Sequence, residues 1–578
     1  MNRRSAGAAL IVVLGASFVL KVHHLDHAAI KPLDEVFHAI VARNFLKHPM
    51  TPTLVDRPFL PYNRDDWLAN HVWLHKPPLA MWQIALSFAI VGVNTLALRL
   101  PSAILSTLAA GLTYLIGSRL LDRTSGLIAA VLQAFNPVIL MLTHGYVFSD
   151  HVDISLLFWT ELSIYFLVRA MESPGRWALV LSGVCQGLAF LSKSFPALIV
   201  TLLALIALPS WGVASPPRTG PARPGSFKRI LILLFATFLT IAPWMTSIAI
   251  RYPHEFIHEN GQILHHLSEN VENWAAPWDQ VVFYFWISIF HVYYPAIIAA
   301  AVVFLFRAFR EKKIGHWLIL AWAGGVMLPN LLATSKPMCA TLIGWPAAWL
   351  MFGWLISLAI RGDRFALGTW LASALLAVAF LNPKSIPTGG ENWGERGLEF
   401  GAIMRQHRWV AWHVLVAIGA GVLLRAIKYP AKAHGAAVGL ATLATILLAA
   451  TWWTGNHAPG YFKVAVEVTQ IDADSPNFEK VGEFAAKLPD NAALLVDEQS
   501  RLENKLVEFA TDRSCYPATP ENWPQQAIAL EQSGALPYLL SRARLPLPIV
   551  YVDIVGERTI YACTRAARDA AIPTKDIR

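Results

Sequence analysis

The chain has 578 residues, of which 55% are hydrophobic and only 15% are charged. A soluble core cannot enclose so much apolar surface without leaving an apolar exterior, so this composition excludes an ordinary soluble protein and predicts a polytopic membrane protein. The formal net charge of +9 does not indicate nucleic-acid binding, because the lysines and arginines fall in short loops between apolar runs, the pattern expected of cytoplasmic membrane loops.

The first apolar run, residues 5–22, follows Asn2-Arg3-Arg4 and has no convincing small-residue cleavage site. We therefore expect a retained first span whose start is cytoplasmic. Further apolar runs long enough to cross about 30 Å of hydrocarbon follow. They lie near residues 97–118, 124–143, 153–170, 177–192, 196–213, 229–250, 282–306, 316–334, 340–361, 365–381, 409–427 and 435–454. The predicted fold is an all-α membrane domain of about 13 spans.

Segment 78–94 is also apolar, and counting it as a span would reverse the orientation of everything after it. Because Arg119, Asp122 and Arg123 favour a cytoplasmic turn, we expect this segment to lie along the membrane interface or to dip into it. Several loops then share the outer face. They are residues 23–96, 144–153, 251–281 and 382–408.

The composition changes after Trp453, which divides the chain into a transmembrane domain, residues 1–456, and a soluble domain, residues 457–578. A helical pattern at 477–488 and β-rich runs at 493–496 and 549–555 predict a small α/β fold. This domain has no glycine-rich phosphate loop, metal-ligand spacing or nucleophile motif, so we expect it to dock an acceptor or to cover the membrane domain. A disulfide between its Cys515 and Cys563 is an open alternative if the domain faces an oxidising compartment.

Asp34 and Glu35 open the stretch DEVFHAIVARNFL just beyond the first span. The apolar residues of this stretch recur at helical spacing and predict an amphipathic helix at the membrane surface; they are Val36, Phe37, Ile40, Val41 and Phe45. An aspartate at a helix start can simply cap the helix or interact with its dipole. Taken alone, Asp34 does not decide between this role and a functional one.

Lys76 lies in the segment HKPPL, and Asp150 and Asp153 flank His151 at the outer end of a predicted span. The apolar stem of Lys76 could simply lie along the membrane domain with its ammonium group at the membrane interface. Either aspartate could cap the helix. However, acids and lysines from separate loops converge on one face of an apolar chain. Such a cluster indicates a polar site, because charges at a membrane edge are costly unless they are paired or bind a ligand.

The chain resembles the C-type membrane glycosyltransferases, specifically the branch of the protein O-mannosyltransferases and of the bacterial transferases that add aminoarabinose to lipid A (families 39 and 83). A series of segments in consistent order over roughly the first 350 residues carries the resemblance. They are DEVFHAIVARNFL, WLANHVWLHKPPLAMW, NTLALRLPSAI, SDHVDISLLFWTELSIYF, LAFLSKSFPALIV and TSKPMCATLIGWPAAWL. The resemblance implies a donor of the polyprenyl phosphate–sugar type, with its phosphate at the membrane surface and its lipid tail in a groove between spans.

Catalytic residues follow from the same resemblance. Asp34, with Glu35 beside it, matches the position of the base that accepts the proton of an acceptor hydroxyl. Asp153 matches the second acidic position, and Asp150 competes closely with it for that assignment.

Negative charge grows on the lipid phosphate as it leaves, so fixed cations beside it would lower the barrier. Lys76 is the first candidate for this role, Lys336 matches a basic residue before a late span, and Lys193 is a third candidate. Lys193 could equally extend to the interface from the end of its span.

The resemblance also implies an optional divalent metal, because some relatives bind one near this site. The residue before the lysine is acidic in the aminoarabinose branch but is His75 here. The loop HENGQILHHLSENVENW would bring His266 near His75, with His265 or Glu259 as a third group. Two imidazoles and a carboxylate would suit zinc. The change from acid to histidine at residue 75 also leaves the donor open.

The sequence thus predicts an inverting glycosyltransferase on the outer face of a bacterial inner membrane. It would transfer a sugar from a polyprenyl, such as undecaprenyl, phosphate to a hydroxyl or phosphate of a cell-envelope lipid, glycan or protein. The alternative class is a transporter or lipid flippase without glycosyl transfer. The sequence shows no internal repeat between its halves, which argues against that class. Neither the sugar nor the acceptor can be read from the residues.

Overall fold

The computed structural model describes residues 2–26, 30–31, 34–145, 150–172, 175–214, 226–270, 294–335, 338–379, 409–428, 430–454, 478–497, 503–553 and 558–571. The membrane domain within them is helical. Its helices are α1 (Arg3–Val22), α2 (Asp34–Lys47), α3 (Leu79–Val91), α4 (Thr95–Leu120), α5 (Arg123–Ala134), α6 (Pro137–Thr143), α7 (Asp150–Glu172), α8 (Trp177–Lys193), α9 (Ile199–Ala214), α10 (Ser226–Arg251), α11 (Pro253–Ser268), α12 (Tyr294–Glu311), α13 (Ile314–Leu332), α14 (Trp345–Ile360), α15 (Arg364–Ala379), α16 (Trp409–Ala426) and α17 (Ala431–Thr454). Short 3₁₀ helices at Phe195–Leu198 and Met338–Gly344 precede α9 and α14.

Six helices of the described residues are long and apolar enough to cross a membrane, and shorter apolar helices accompany them. The six include α1, α4, α7 and α10. The chain is therefore a multi-pass membrane protein, while the number of 13 spans stays a prediction. Helix α3 occupies segment 78–94 with 13 residues, a length of about 20 Å. That is shorter than the hydrocarbon core, and the interfacial placement of this segment stays a prediction.

Close helix packing forms the membrane core, and small residues permit it. Helices α7 and α8 pack along their lengths, and α8 also packs against α10. A Cβ atom at Gly183 of α8 would lie 2.3 Å from the Leu233 carbonyl oxygen of α10. Only glycine at residue 183 allows the two backbones to approach this closely, so α8, which ends at Lys193, is held firmly in the bundle.

Helix α2 forms where the sequence predicts it, but the prediction of an amphipathic surface helix is wrong. Every residue from Glu35 to Phe45 is buried. The physical reason is that α3 covers one side of α2 and the C-terminal domain covers another. A helix enclosed on all sides needs no polar stripe facing water.

The C-terminal domain is a small α/β fold, as predicted. Its elements are α18 (Glu479–Ala485), β1 (Ala492–Asp497), α19 (Glu503–Thr511), β2 (Ser514–Ala518), α20 (Trp523–Gln532), β3 (Leu536–Ser541), β4 (Ile549–Asp553), β5 (Arg558–Ala562) and α21 (Arg565–Ala570). The five strands form one sheet in the order β2-β1-β3-β5-β4. Strand β1 pairs in parallel with β2 and β3, whereas β5 pairs antiparallel with β3 and β4. Apolar clusters cover both faces of the sheet.

The open alternative of a Cys515–Cys563 disulfide is wrong, because the sheet keeps the two residues apart. Cys515 lies in β2 and Cys563 directly follows β5, and both thiols are free. Strands β1 and β3 separate β2 from β5. Three strand spacings of about 4.8 Å place the two residues about 14 Å apart, whereas a disulfide needs Cα atoms within about 7 Å.

Candidate active site

Asp34 is the first residue of α2 and lies among several positive charges. Burial alone would raise the pKa of its carboxyl group, but the charges nearby, above all that of Lys76 and also that of Lys193, outweigh burial and lower the pKa to about 2. The Asp34 side chain is therefore a carboxylate at neutral pH, held in the field of cations from other parts of the chain.

Lys76 and His75 lie in the loop just before α3, where Pro77 and Pro78 limit the backbone. The Lys76 ammonium donates to Nε2 of His75 at 3.0 Å. Because Nε2 accepts this hydrogen bond, Nδ1 carries the ring proton of a neutral imidazole and donates to Glu259 at 3.3 Å. Burial and the nearby Lys76 charge lower the pKa of His75 against the opposing effect of Glu259, which favours this neutral form. A hydrogen-bonded chain from α11 thus orients the lysine.

Aromatic side chains enclose this histidine. The ring of Trp67 stacks on His75 with centroids 4.3 Å apart and planes 10° apart, and Trp73 lies 5.8 Å away. Trp73 is fully buried, and Phe37 of α2 contacts both tryptophans. These rings exclude water from one side of the charge cluster, which strengthens the electrostatic interactions within it. This role of Trp67 and Trp73 was not predicted, although both lie in the segment WLANHVWLHKPPLAMW.

Asp153 and Lys193 meet across α7 and the end of α8. The Lys193 ammonium donates to Oδ1 of Asp153 at 2.5 Å. The aspartate is 1% exposed, and its Oδ2 atom has no hydrogen-bond partner among the described residues. The charges of Lys76 and Asp34 both act on Asp153. One polar site therefore joins residues from α2, the loop before α3, α7 and α8.

The structure brings together five of the predicted site residues, namely Asp34, His75, Lys76, Asp153 and Lys193. Three others cannot be placed in the same way. The side chains of Asp150 and His266 lie outside the described residues, as does the whole of Lys336. His265 points to Glu269 on its own helix, at 2.8 Å, rather than to His75.

Glu35 contacts a different set of partners from Asp34. Its carboxylate forms a bidentate ion pair with Arg99 of α4, with Oε1 2.6 Å from Nε and Oε2 3.0 Å from Nη2, and both side chains are 2% exposed. The backbone N–H of Lys31 also donates to Oε2, and Arg99 donates to the Leu25 carbonyl. Glu35 therefore anchors α2 on α4. It is the neighbour of the candidate base Asp34 and is not a second base.

Gly145 is required where the chain passes this ion pair. Its φ is +67°, and a Cβ atom at this position would lie only 2.0 Å from Oε1 of Glu35. Sequence reasoning did not single out Arg99 or Gly145. The signal for Arg99 was an arginine within the apolar segment NTLALRLPSAI, which must be paired if it is buried.

The residues around His75 fit part of the predicted metal site. Nδ1 of His75 and the Glu259 carboxylate are 3.3 Å apart, a separation close to that of two ligands on a tetrahedral zinc ion. Lys76 occupies the other imidazole nitrogen. Among the described residues, no group of three or more His, Cys, Asp or Glu side chains is arranged to hold a metal ion.

The chain is similar to several known proteins. A family model described as dolichyl-phosphate-mannose-protein mannosyltransferase matches residues 75–244, the part that contains His75, Lys76, Asp153 and Lys193. Structural similarity extends over almost the whole chain. The crystal structure of ArnT from Cupriavidus metallidurans bound to undecaprenyl phosphate matches with a TM-score of 0.58 at 16% identity, covering 96% of this chain and 98% of that one. The apo state of the same protein gives a TM-score of 0.58 at 15% identity, covering 97% and 99%.

This chain has the fold of the C-type membrane glycosyltransferases. The predicted resemblance is thereby confirmed. Two curated relatives are named undecaprenyl phosphate-alpha-4-amino-4-deoxy-L-arabinose arabinosyl transferase. The one from Pseudomonas aeruginosa is 31% identical over 155 residues, which cover 25% of this chain and 28% of the relative. The one from Erwinia tasmaniensis is 26% identical over 339 residues, which cover 54% of this chain and 56% of the relative. The matched parts therefore span from about a quarter to just over half of these C-type relatives.

Proposed function

We propose that this protein is an inverting membrane glycosyltransferase that uses a polyprenyl phosphate-linked sugar as its donor. The observation that carries the proposal is the charge cluster in which Asp34 lies within the field of Lys76 and Lys193, with Asp153 paired to Lys193. A carboxylate beside cations is the arrangement that the transfer of a sugar from a phosphate leaving group requires.

The reaction breaks the bond between the anomeric carbon of the sugar and the phosphate oxygen of the donor. The acceptor oxygen attacks from the opposite face, and its proton passes to the Asp34 carboxylate when the acceptor is a hydroxyl. Lys76 and Lys193 stabilise the charge that develops on the leaving polyprenyl phosphate. Asp153 holds Lys193 in place, and its free Oδ2 atom is available to a hydroxyl of the sugar or the acceptor.

Donor binding also makes the proposed base stronger. The same cations that would bind the phosphate lower the pKa of Asp34 in the free protein. When an anionic phosphate binds to these cations, it offsets their charge, so the Asp34 carboxylate becomes more basic. Proton transfer to Asp34 is therefore more favourable with the donor bound than without it.

A groove between α9 and α13 supports a donor with a long lipid tail. It has a volume of about 590 Å³ and is lined mainly by apolar side chains, including Leu202, Ile206, Trp317 and Leu328. Helix α9 follows Lys193 after one short 3₁₀ segment. The groove therefore begins close to the end of α8 that carries a proposed phosphate-binding lysine. A polyprenyl chain could lie in it with its phosphate at the charge cluster.

A divalent metal is a separate proposal. His75 and Glu259 would hold it, and it would neutralise charge on the donor phosphate. Ligation through Nδ1 would require the other tautomer of His75, in which Nε2 carries the proton and no longer accepts from Lys76. The test is the metal content of the purified protein and of its Glu259→Gln variant. Equal, negligible content in both would refute the metal.

The proposed location is the outer face of a bacterial inner membrane, with the C-terminal domain on the same side as the charge cluster. The positive-inside pattern of the loops supports this orientation. The proposed acceptor is a hydroxyl or phosphate of a cell-envelope lipid, glycan or protein. The aminoarabinose transferases among the relatives favour undecaprenyl phosphate-aminoarabinose as the first donor to test and lipid A as the first acceptor.

The test uses purified full-length protein with labelled undecaprenyl phosphate-aminoarabinose and a lipid A extract. The expected result is a glycosylated lipid together with free undecaprenyl phosphate. Lys76→Gln should raise the donor KM at least tenfold, whereas the control Lys480→Gln, at an exposed lysine of α18, should leave it unchanged. Movement of the donor across proteoliposomes with no glycosidic product would instead support the flippase class.

A further inference from the structure

The far end of α2 is attached to the C-terminal domain through Arg43. This side chain is 7% exposed. Its Nη1 atom donates to the carbonyl oxygens of Glu508 and Phe509, at 3.1 and 2.9 Å. These carbonyls belong to the last turn of α19, where backbone acceptors outnumber the helix's own donors. The Glu508 carbonyl also accepts from the backbone N–H of Asp512 at 3.1 Å, so Arg43 is its second donor. A cation at the C-terminal end of a helix also interacts favourably with the helix dipole.

Other contacts of the same arginine strengthen the attachment. Its Nε atom forms an ion pair with Asp512 at 3.2 Å, and the guanidinium lies 5.7 Å from the centre of the Phe509 ring. Lys47, one turn further along α2, also pairs with Asp512 at 3.1 Å. Several interactions thus join the last two turns of α2 to the end of α19.

Helix α2 is held at both ends by elements distant in sequence. Glu35 and Arg99 fix its start to α4, and Arg43 fixes its other half to α19, nine residues after Asp34. A helix of 14 residues has little stability on its own, so its position depends on these attachments. Nine residues correspond to about 13 Å along the helix axis, a distance over which a tilt at one end would displace the other.

We infer that Arg43 is a positioning residue, through which the C-terminal domain holds α2 and sets the place of Asp34 in the charge cluster. The catalytic part of this inference rests on the proposed function. The attachment itself does not, because it is a statement about α2 and α19. The C-terminal domain is then a structural part of the site. Of the two roles expected of this domain, docking an acceptor and covering the membrane domain, the inference supports the second.

The chain offers a matched control. Arg57 also joins the membrane domain to the C-terminal domain, donating to the carbonyl oxygen of Asp490 at 3.2 Å, but it lies outside α2. Its side chain is 60% exposed. Replacing Arg57 by Met therefore removes an arginine contact between the two domains without releasing α2.

The experiment compares full-length wild-type protein with Arg43→Met, Arg43→Lys and Arg57→Met. Hydrogen–deuterium exchange should become at least tenfold faster within residues 34–47 in Arg43→Met and stay unchanged in Arg57→Met. In the sugar-transfer assay, Arg43→Met should lower kcat at least tenfold with the donor KM within threefold, because Lys76 and Lys193 come from other elements. Arg43→Lys keeps a donor and a charge, so it should restore part of the kcat.

Two results would overturn the inference. The first is unchanged exchange within residues 34–47 in a folded Arg43→Met variant. The second is faster exchange in that variant with kcat unaltered, which would show that the attachment does not position Asp34. If wild-type protein transfers no sugar, the proposed function fails, and the exchange experiment alone then decides whether Arg43 holds α2.

Discussion

The buried ion pair between Glu35 and Arg99 gives the most discriminating prediction about α2. Replacing Glu35 by Gln removes the charge but keeps the shape of the side chain. The guanidinium of Arg99, which is 2% exposed, would then lack its counter-ion. The two carboxylate oxygens of Glu35 accept hydrogen bonds from Arg99 at 2.6 and 3.0 Å, and one of them would be replaced by an amide NH₂ group. This group donates hydrogen bonds and cannot accept one from the guanidinium.

The expected cost follows from that geometry. Breaking a buried ion pair by removing one partner destabilises a protein by about 3–5 kcal/mol, because a charge is left buried and uncompensated. Glu35→Gln and Arg99→Met should each approach this value. The double variant Glu35→Gln/Arg99→Met leaves no uncompensated charge, so it should be less destabilised than the sum of the two single variants by at least about 1.5 kcal/mol.

The assay is reversible unfolding in detergent, followed by the tryptophan signal, with sugar transfer measured on the folded fraction. In the folded fraction, Glu35→Gln and Arg99→Met should lower sugar transfer to a similar extent, because each removes the same anchor of α2. If Glu35→Gln is as stable as wild type but inactive, Glu35 acts in the chemistry and the assignment to an anchoring role is wrong.

Further predictions concern neighbouring features. Gly145→Ala should destabilise the protein by about 1–3 kcal/mol in thermal unfolding, because residue 145 has a positive φ and the Glu35 carboxylate occupies the space of a Cβ atom. An unchanged melting temperature would contradict this close contact between Gly145 and Glu35. The lowered pKa of Asp34 means that the stability from its charged form is fully present above about pH 4 and is lost as the pH falls through about 2. The pH profile of kcat/KM, which reports the ionisations of the free enzyme, should therefore show no limb from Asp34 between pH 5 and 8. A limb in that range that shifts in Asp34→Glu would show that Asp34 is not already ionised there. Gly324 lines the apolar groove and has open space at its Cβ position. Gly324→Leu should therefore raise the KM of a long-chain donor and leave the KM of a short-chain analogue unchanged. Equal effects on both donors would exclude the groove as the site of the lipid tail.

The charge cluster could be predicted from the sequence because its members follow simple rules. Charged residues at the ends of apolar runs mark the membrane edge, and the alternation of loops assigns Asp34, Lys76 and Asp153 to one face. The family resemblance added their roles. The structure then brought Lys193 to Asp153 at 2.5 Å. The sequence had not predicted this pairing and had left Lys193 between a phosphate-binding role and interfacial extension.

The surroundings of α2 could not be predicted in the same way. Its burial depends on α19, more than 450 residues later in the chain, and its anchor depends on Arg99, which lies 64 residues from Glu35. Local periodicity describes one helix and does not reveal which distant surfaces cover it. The interfacial model of α2 was wrong for this reason, although its boundaries were nearly right.

The most direct measurement is a single-turnover experiment on wild-type protein and its Asp34→Asn variant, with labelled undecaprenyl phosphate-aminoarabinose as donor and lipid A as acceptor. The Asp34→Asn variant should release undecaprenyl phosphate at least about 100-fold more slowly, with donor binding as tight as in wild type because the neighbouring cations remain. Release at the wild-type rate from a folded Asp34→Asn variant would contradict the assignment of Asp34 as the base.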